Sequence, residues 1–346
     1  MTAPRDVYFV GTIPLARGYA VFTTLAEIVG ERARRVPDGE TGDRQLWVSA
    51  QYPILAASPW LEVGAFPQGG VARSTSYEIP LRLRPGVDPG GLKFGELGYA
   101  RYAITSYGVF RSLQEAGRIP ATWRFQVNLP APMDVMSLVE PAARATVEGP
   151  YEQALLAEID RIQAAIPHER LAITLDAVRG VLEWESPANP YVGVWFADAE
   201  NGVVERLARL ARAVAPDVEL GLHLCYGSQD HSHAIEPRNL SACVGLANAV
   251  ATRLTRRIDY VHMPVPRERA DDDYFAPLAG LDRDHVAHLY LGLVHYTDGV
   301  AGACRRIGTA MRHRADFGIA TECGFGRRPH HQDVRRLIRL HAEIAG

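Results

Sequence analysis

The chain places two thiols and two imidazoles, His223-Leu224-Cys225, His262 and Cys323, at or just past the ends of separate short apolar runs of strand length. Strand ends that converge can bring such groups to one metal ion. Zinc suits this set, because it accepts mixed sulfur and nitrogen ligands in tetrahedral geometry and keeps an exchangeable position where it does catalysis. The same residues also fit a plainer arrangement, with Cys225 and Cys323 as small buried hydrophobes and the imidazoles as hydrogen-bonded core groups. The elements that carry these side chains decide between the two.

Eight apolar runs can serve as strands: Val7 to Gly11, Arg34 to Pro37, Trp123 to Asn128, Leu171 to Asp176, Val218 to Leu224, Ile258 to His262, Leu289 to Val294 and Phe317 to Thr321. Segments such as Tyr151 to Ile166 and Glu205 to Val214 lie between them, with apolar residues at the three- and four-residue spacings of an amphipathic helix. Strand and helix alternating eight times predict a (β/α)8 TIM barrel, with residues 1–346 as a single domain. The stretch 47–119, rich in Pro, Gly and aromatic residues, is too long for one connection. It is expected to form a loop-and-helix excursion over the barrel mouth, between strands 2 and 3.

Composition is compatible with that fold and narrows the function. A chain of 346 residues with 47% hydrophobic content can bury a sizeable core. Its formal net charge is -3 with the signs interspersed, which suggests neither a nucleic-acid-binding face nor an acidic tail. No run approaches the ~20 apolar residues of a membrane span, and the first residues lack the pattern of a secretory signal. The cysteines, Cys225, Cys243, Cys304 and Cys323, are too few to make a disulfide framework in a chain this long. A cytoplasmic protein acting on a small molecule is the expectation.

Barrel enzymes build their sites at the C-terminal ends of the strands, and here nearly every end carries polar chemistry. The runs lead into Thr12, into Asp38 and Glu40, to Gln126 and Asn128, and to Asp176. They continue with His223 and Cys225, His262, then His295 and Tyr296, and finally Glu322 and Cys323. His295, Asp176 and Glu40 are the candidates for proton chemistry. Thr12, Asp38, Gln126, Asn128, Tyr296 and Glu322 are candidates to contact substrate. Any one of them could instead anchor a turn: Glu40 could pair with Arg44, and His295 could cap the Tyr296–Gly299 turn.

The ordered segments GTIP (11–14), DGE (38–40), LDAV (175–178) and HLC (223–225), a late histidine at 295, and ECG (322–324) resemble the C-terminal barrel of cobalamin-independent methionine synthase. The resemblance spans the chain and is closest to single-barrel, methionine-synthase-like members of the superfamily that also holds uroporphyrinogen decarboxylase. It implies a zinc ion held by a His-x-Cys pair, a glutamate and a distant cysteine, with His223, Cys225 and Cys323 matching three of these ligands. It further implies that Thr12 contacts an amino-acid carboxylate, that Glu40 and Asp176 lie near the substrate amine, and that His295 is an acid assisting methyl transfer. Where the family has its glutamate, this chain has His262, the natural substitute; Glu322 ranks below it as a ligand, since neighbours on a strand face opposite ways. Two thiolates and two imidazoles would leave the zinc complex without formal charge, a better Lewis acid toward oxygen. The family's aspartate is followed by Glu-Pro, whereas Asp176 is followed by Ala177-Val178.

The leading expectation is a zinc-dependent methyl or alkyl transferase that activates a thiol substrate toward an alkyl donor. The alternatives are a zinc-assisted lyase, decarboxylase or hydrolase on the same barrel, and a non-catalytic binding protein. Asp271, Asp272 and Asp273 are read as solvated or cross-paired rather than as a magnesium site. Gln229 to His233 is read as a substrate-facing loop, and Arg327, Arg328, His330 and His331 as either an anion contact or surface charge. No phosphate-loop motif is present.

Overall fold

The structure, a computed structural model, describes residues 5–65, 79–186, 193–227, 233–327 and 331–346. Its strands in chain order are β1 (Arg35–Pro37), β2 (Leu61–Val63), β3 (Leu81–Leu83), β4 (Arg124–Pro130), β5 (Leu171–Ala177), β6 (Glu219–Leu224), β7 (Ile258–Pro264), β8 (Val286–Val294) and β9 (Gly318–Thr321). Seven of them form one parallel sheet in the order β1-β4-β5-β6-β7-β8-β9, while β2 and β3 pair separately as an antiparallel ribbon. The helices are α1 (Gly18–Ile28), α2 (Tyr52–Ala56), α3 (Tyr99–Glu115), α4 (Pro132–Val135), α5 (Arg144–Ala165), α6 (Val178–Glu185), α7 (Ala199–Ala213), α8 (Ser241–Ala251), α9 (Asp272–Phe275), α10 (Gly299–His313) and α11 (His331–Ala345).

Every residue of β5 is buried, as expected for a parallel strand covered on both faces. The covering helices contact one another in succession, and α11 meets α1, so the sheet is curled inside a ring of helices. The run expected as the first strand lies between the two edges of the sheet. Val7 makes parallel bridges to both Ala33 and Ile319, short of a regular strand. The carbonyls of Phe9 and Val10 instead accept side-chain N–H groups from Gln126 and Asn128, which takes them out of a backbone ladder. The architecture is therefore an α/β fold of barrel type, with seven strands in its parallel sheet among the described residues.

The excursion begins with irregular turns and α2, followed by the β2–β3 ribbon. Helix α3 behaves differently, packing against α1, α5 and β4 as a member of the outer ring. Residues 66–78 of this stretch lie outside the described residues. Helix α5 starts at Arg144, earlier than the periodicity beginning at Tyr151 suggested, and carries Pro150 inside it.

Aromatic groups fill the sheet's concave interior. Tyr8, Tyr260 and Tyr290 pack with Val10, Ala172 and Ala320. Gly221 and Gly318 leave room for two of these rings: a Cβ at Gly221 would meet the Tyr260 ring at 2.1 Å, and one at Gly318 the Tyr290 ring at 2.5 Å. Toward the strands' N-terminal ends, buried Arg35 pairs with Glu219, donates to the Tyr290 hydroxyl at 3.1 Å and lies 4.2 Å from the Tyr260 ring centroid. That plug leaves the opposite rim for chemistry. Among the described residues, no helix is long and apolar enough to cross a membrane.

Candidate metal and substrate site

Parallel pairing puts Asp176 of β5 beside His223 of β6, and His223 beside His262 of β7. Partners in a parallel ladder project to the same face. All three side chains are buried. Cys225 follows β6 directly and Cys323 follows β9. The ligand atoms of His223, Cys225 and Cys323 all lie within 4.8 Å of one another, with His223 Nε2 3.8 Å from Cys323 Sγ. A tetrahedral shell with zinc–nitrogen and zinc–sulfur bonds of roughly 2.0–2.3 Å spaces its ligand atoms about 3.5–3.8 Å apart. The donor set fits zinc in chemistry and, after closing from at most 4.8 Å to about 3.5–3.8 Å, in spacing.

His262 does not join that group. Its Nδ1 lies 2.8 Å from Nδ1 of His223, and its Nε2 lies 2.9 Å from the Thr321 carbonyl oxygen. Both ring nitrogens are engaged, and the ring stands behind His223. The residue expected to substitute for the family's glutamate as fourth ligand thus lies against His223, one of the three candidate ligands. Burial and the neighbouring His223 ring hold the His262 pKa well below its usual value. For His223, burial disfavours the charge, but the hydrogen bond and charge of Cys323 outweigh it and raise the pKa.

The carboxylates of Asp176 and Glu40 form the other half of the site. Burial is the main force raising Asp176 to about 6; the His223 charge and the Trp47 N–H hydrogen bond oppose it. The Trp47 indole N–H donates to Asp176 Oδ2 at 3.1 Å, and the Asn128 amide approaches Oδ1 at 3.4 Å. Glu40 is raised further, to about 8, by burial and then by the charge of Asp176. It accepts from the Thr12 hydroxyl. Glu40 and Trp47 both have positive φ, 46° and 52°, a conformation that costs a non-glycine residue about 1 kcal/mol or more. Gly11 lies directly against Glu40 and Asn128: a Cβ there would meet Glu40 Oε1 at 3.2 Å and Asn128 Cγ at 3.3 Å.

Other expected site residues have structural partners. Asp38 receives Arg44 at 2.8 and 3.2 Å, the Ser106 hydroxyl at 2.6 Å and the Glu40 backbone N–H at 2.9 Å, which fills its carboxylate. Arg44 thus pairs with Asp38, not with Glu40. The Gln126 amide donates within the interior, to the Phe9 carbonyl at 3.0 Å and to Asn128 Oδ1 at 2.9 Å. Tyr296 accepts from Arg336 at 3.3 Å, and Glu322 Oε1 lies 2.6 Å from His233 Nε2. His295 Nε2–H donates to the Val265 carbonyl at 2.8 Å, and burial lowers its pKa, so its ring is neutral at pH 7.

Sequence reading missed four groups that position the site. Trp47 fell at the edge of the excursion. Thr321 presents its carbonyl to His262 while its hydroxyl donates to the Cys323 carbonyl at 2.7 Å. Ser106 holds Asp38. Buried Asp134 of α4 accepts the Val178 and Arg179 N–H groups at 3.2 and 2.6 Å, fixing the backbone just beyond Asp176. Only Asp134 carried a signal, as a carboxylate near a strand end. In the charged loop, Asp271 caps α9 and pairs with Arg269, and Asp272 pairs with Arg312 and His313. Gln229 to Ser232, Arg328 and His330 lie outside the described residues.

No protein-family model and no curated protein matches the sequence. Solved structures do. The chain superposes over 99% of its length on 99% of a chain from Listeria monocytogenes provisionally described as a vitamin-B12-independent methionine synthase, with a TM-score of 0.58 and 14% identity. A B12-independent methionine synthase from Shewanella sp. W3-18-1, solved with selenomethionine, gives 0.58 and 14% over 99% of this chain and 97% of that one. A methyltransferase from Methanosarcina mazei gives 0.55 and 11% over 100% and 96%. At these identities the likeness establishes a shared fold.

Proposed function

We propose that this chain is a methionine-synthase-like, zinc-dependent transferase that moves a methyl or other alkyl group to the sulfur of a small thiol substrate. The observation that carries the proposal is the convergence of His223 Nε2, Cys225 Sγ and Cys323 Sγ beside two desolvated carboxylates. The structural neighbours, described as methionine synthases and a methyltransferase, support it. So does the helix ring around the sheet, which we read as one (β/α)8 barrel over residues 1–346, completed by the Val7 segment.

Zinc held by His223, Cys225 and Cys323 would supply the means to keep a substrate thiol deprotonated near neutral pH. Glu40 and Asp176 recognise the substrate's ammonium group. An arriving cation favours their ionised forms and so offsets the desolvation that raises both pKa values. Thr12 orients Glu40 through its hydroxyl. His295 enters as a neutral imidazole whose Nε2 proton is committed to Val265, which suits positioning or proton acceptance better than the acid role implied by the family resemblance. His262 stands behind the ligands, and Asp38, Gln126, Tyr296 and Glu322 shape the rim.

Elemental analysis combined with zinc absorption spectroscopy tests the reading. Purified protein is expected to hold about one zinc per chain, with sulfur and nitrogen neighbours, and to gain a sulfur neighbour on addition of a small amino-acid thiol. Absence of zinc even after reconstitution overturns the proposal. So does a thiol that never enters the shell of a protein that releases carbon dioxide from, or hydrolyses, an oxygen-rich substrate.

A further inference from the structure

His262 occupies the strand position next to a proposed ligand, His223, and meets it ring to ring. A backbone carbonyl can only accept, so the Thr321 oxygen at 2.9 Å requires the proton of His262 on Nε2. A fully buried imidazole with no carboxylate partner among the described residues stays neutral, which leaves Nδ1 of His262 as a lone pair. That lone pair lies 2.8 Å from Nδ1 of His223, which must then carry a proton to make the bond. The other nitrogen of His223, Nε2, is the one that faces Cys323 Sγ, 3.8 Å away, and so the one left to meet a metal. The chain Thr321 carbonyl, His262, His223 thus has one consistent direction.

We infer that His262 is a positioning residue, which relays the Thr321 carbonyl through its own ring to lock His223 in the Nδ1–H tautomer with Nε2 presented to the metal. The consequence for metal binding rests on the function proposed above; the tautomer itself does not. The arrangement has a second economy. Thr321 also holds the Cys323 backbone through its hydroxyl, so one residue of β9 sets the orientation of ligands on β6 and beyond β9. Metal-bound histidines commonly donate their far N–H to a carboxylate or carbonyl; here an imidazole is interposed. The substitution removes a carboxylate from the ligand neighbourhood without leaving the His223 proton buried and unpaired, which would cost about 1–3 kcal/mol.

Nitrogen-15 NMR of histidine-labelled full-length protein, with and without zinc, tests this. In wild type, with and without zinc, His223 is expected to carry a proton on Nδ1 and His262 on Nε2 alone; finding His223 Nδ1 unprotonated overturns the inference whether or not the protein binds zinc. In His262→Leu, which offers no acceptor, His223 is expected to shift toward Nε2–H, and zinc affinity to fall roughly 10- to 100-fold. In His262→Asn, whose amide oxygen can accept from His223, affinity is expected to return to within about 3-fold of wild type. Equal losses in both variants would mean that His262 is itself a ligand, and no loss in either would mean that it does not position His223. If His262→Leu fails to fold, the wild-type tautomer and the Asn variant still decide. A wild type with the expected tautomer but no zinc defeats the proposed function and leaves the tautomer assignment standing.

Discussion

The sulfur and imidazole half of the site rests on the sheet, whereas the carboxylate half rests on groups brought from loops and the excursion. His223 and His262 are ladder partners, and Thr321 at the end of β9 orients both His262 and the Cys323 backbone. On the other side, Asp176 is on β5 but is held by Trp47, and Glu40 sits in a left-handed turn whose neighbour Asp38 is tied down by Arg44 and Ser106. A strand ladder fixes atoms through many cooperative backbone bonds, whereas loop-borne contacts open locally at lower cost. On the proposed function, the first half would hold a metal shell with little movement. The second can adjust to a substrate.

The sharpest break of this comparison comes from the thiols. Cys225→Ser or Cys323→Ser should reduce zinc content to below about a tenth of wild type at equal supply, because each removes a thiolate from a three-residue group. Thermal unfolding of the metal-free variants should stay close to that of metal-free wild type. A large loss of metal-free stability would mean that the cysteines act as core packing, the plainer arrangement that their sequence also allowed.

Asp176→Asn probes the other half. It should keep zinc content near wild type and lower kcat/KM for an amino-acid thiol roughly 10- to 100-fold, the usual weight of a charge-assisted hydrogen bond to an ammonium group. Thiols lacking the amino group should show a much smaller difference between variant and wild type. Loss of zinc in Asp176→Asn would show that the two halves are not separable.

The sheet-borne half was the legible one. Apolar runs located β4 to β9 within a few residues in most cases because buried parallel strands are continuous in sequence, and the ends of those runs carry His223, Cys225 and Cys323, whose ligand atoms lie within 4.8 Å of one another. The first run was misjudged for a physical reason. Its carbonyls are captured by the Gln126 and Asn128 side chains, an event no local pattern announces. His262 falls on its expected strand with its ring nitrogens against His223 and the Thr321 carbonyl, neighbours that residue type alone does not announce. Trp47, Ser106 and Asp134 act across sequence separations of 129, 68 and 44 residues, and only tertiary packing reveals them.

Glu40 offers a smaller but directional test. Its carboxyl is raised from 4.5 to about 8 in the folded chain, so between those pH values the folded state holds a proton that the unfolded state has released. Stability must then fall as pH rises through this window, the reverse of a salt-bridged acid. Glu40→Gln should unfold at nearly the wild-type temperature at pH 4.5 and a few degrees higher, ~3–8 °C, at pH 8.5, as the buried charge is no longer required. Equal shifts at both pH values would mean that the change acts through packing or the Thr12 hydrogen bond.

The smallest effect is expected far from both halves. Asp272 is an exposed carboxylate paired with Arg312 and His313, which draw its pKa down to about 2, and exposed pairs of this kind contribute little to folding. Asp272→Asn should leave zinc content and turnover unchanged and move the melting temperature by no more than about 1 °C at pH 7. Millimolar magnesium should shift neither protein. Asp271 is engaged as the cap of α9 and with Arg269, so binding magnesium here would require breaking contacts already made. A magnesium-dependent stabilisation of wild type that disappears in Asp272→Asn would place a second cation site on this loop and make the surface, rather than the strand ends, the more informative region of the chain.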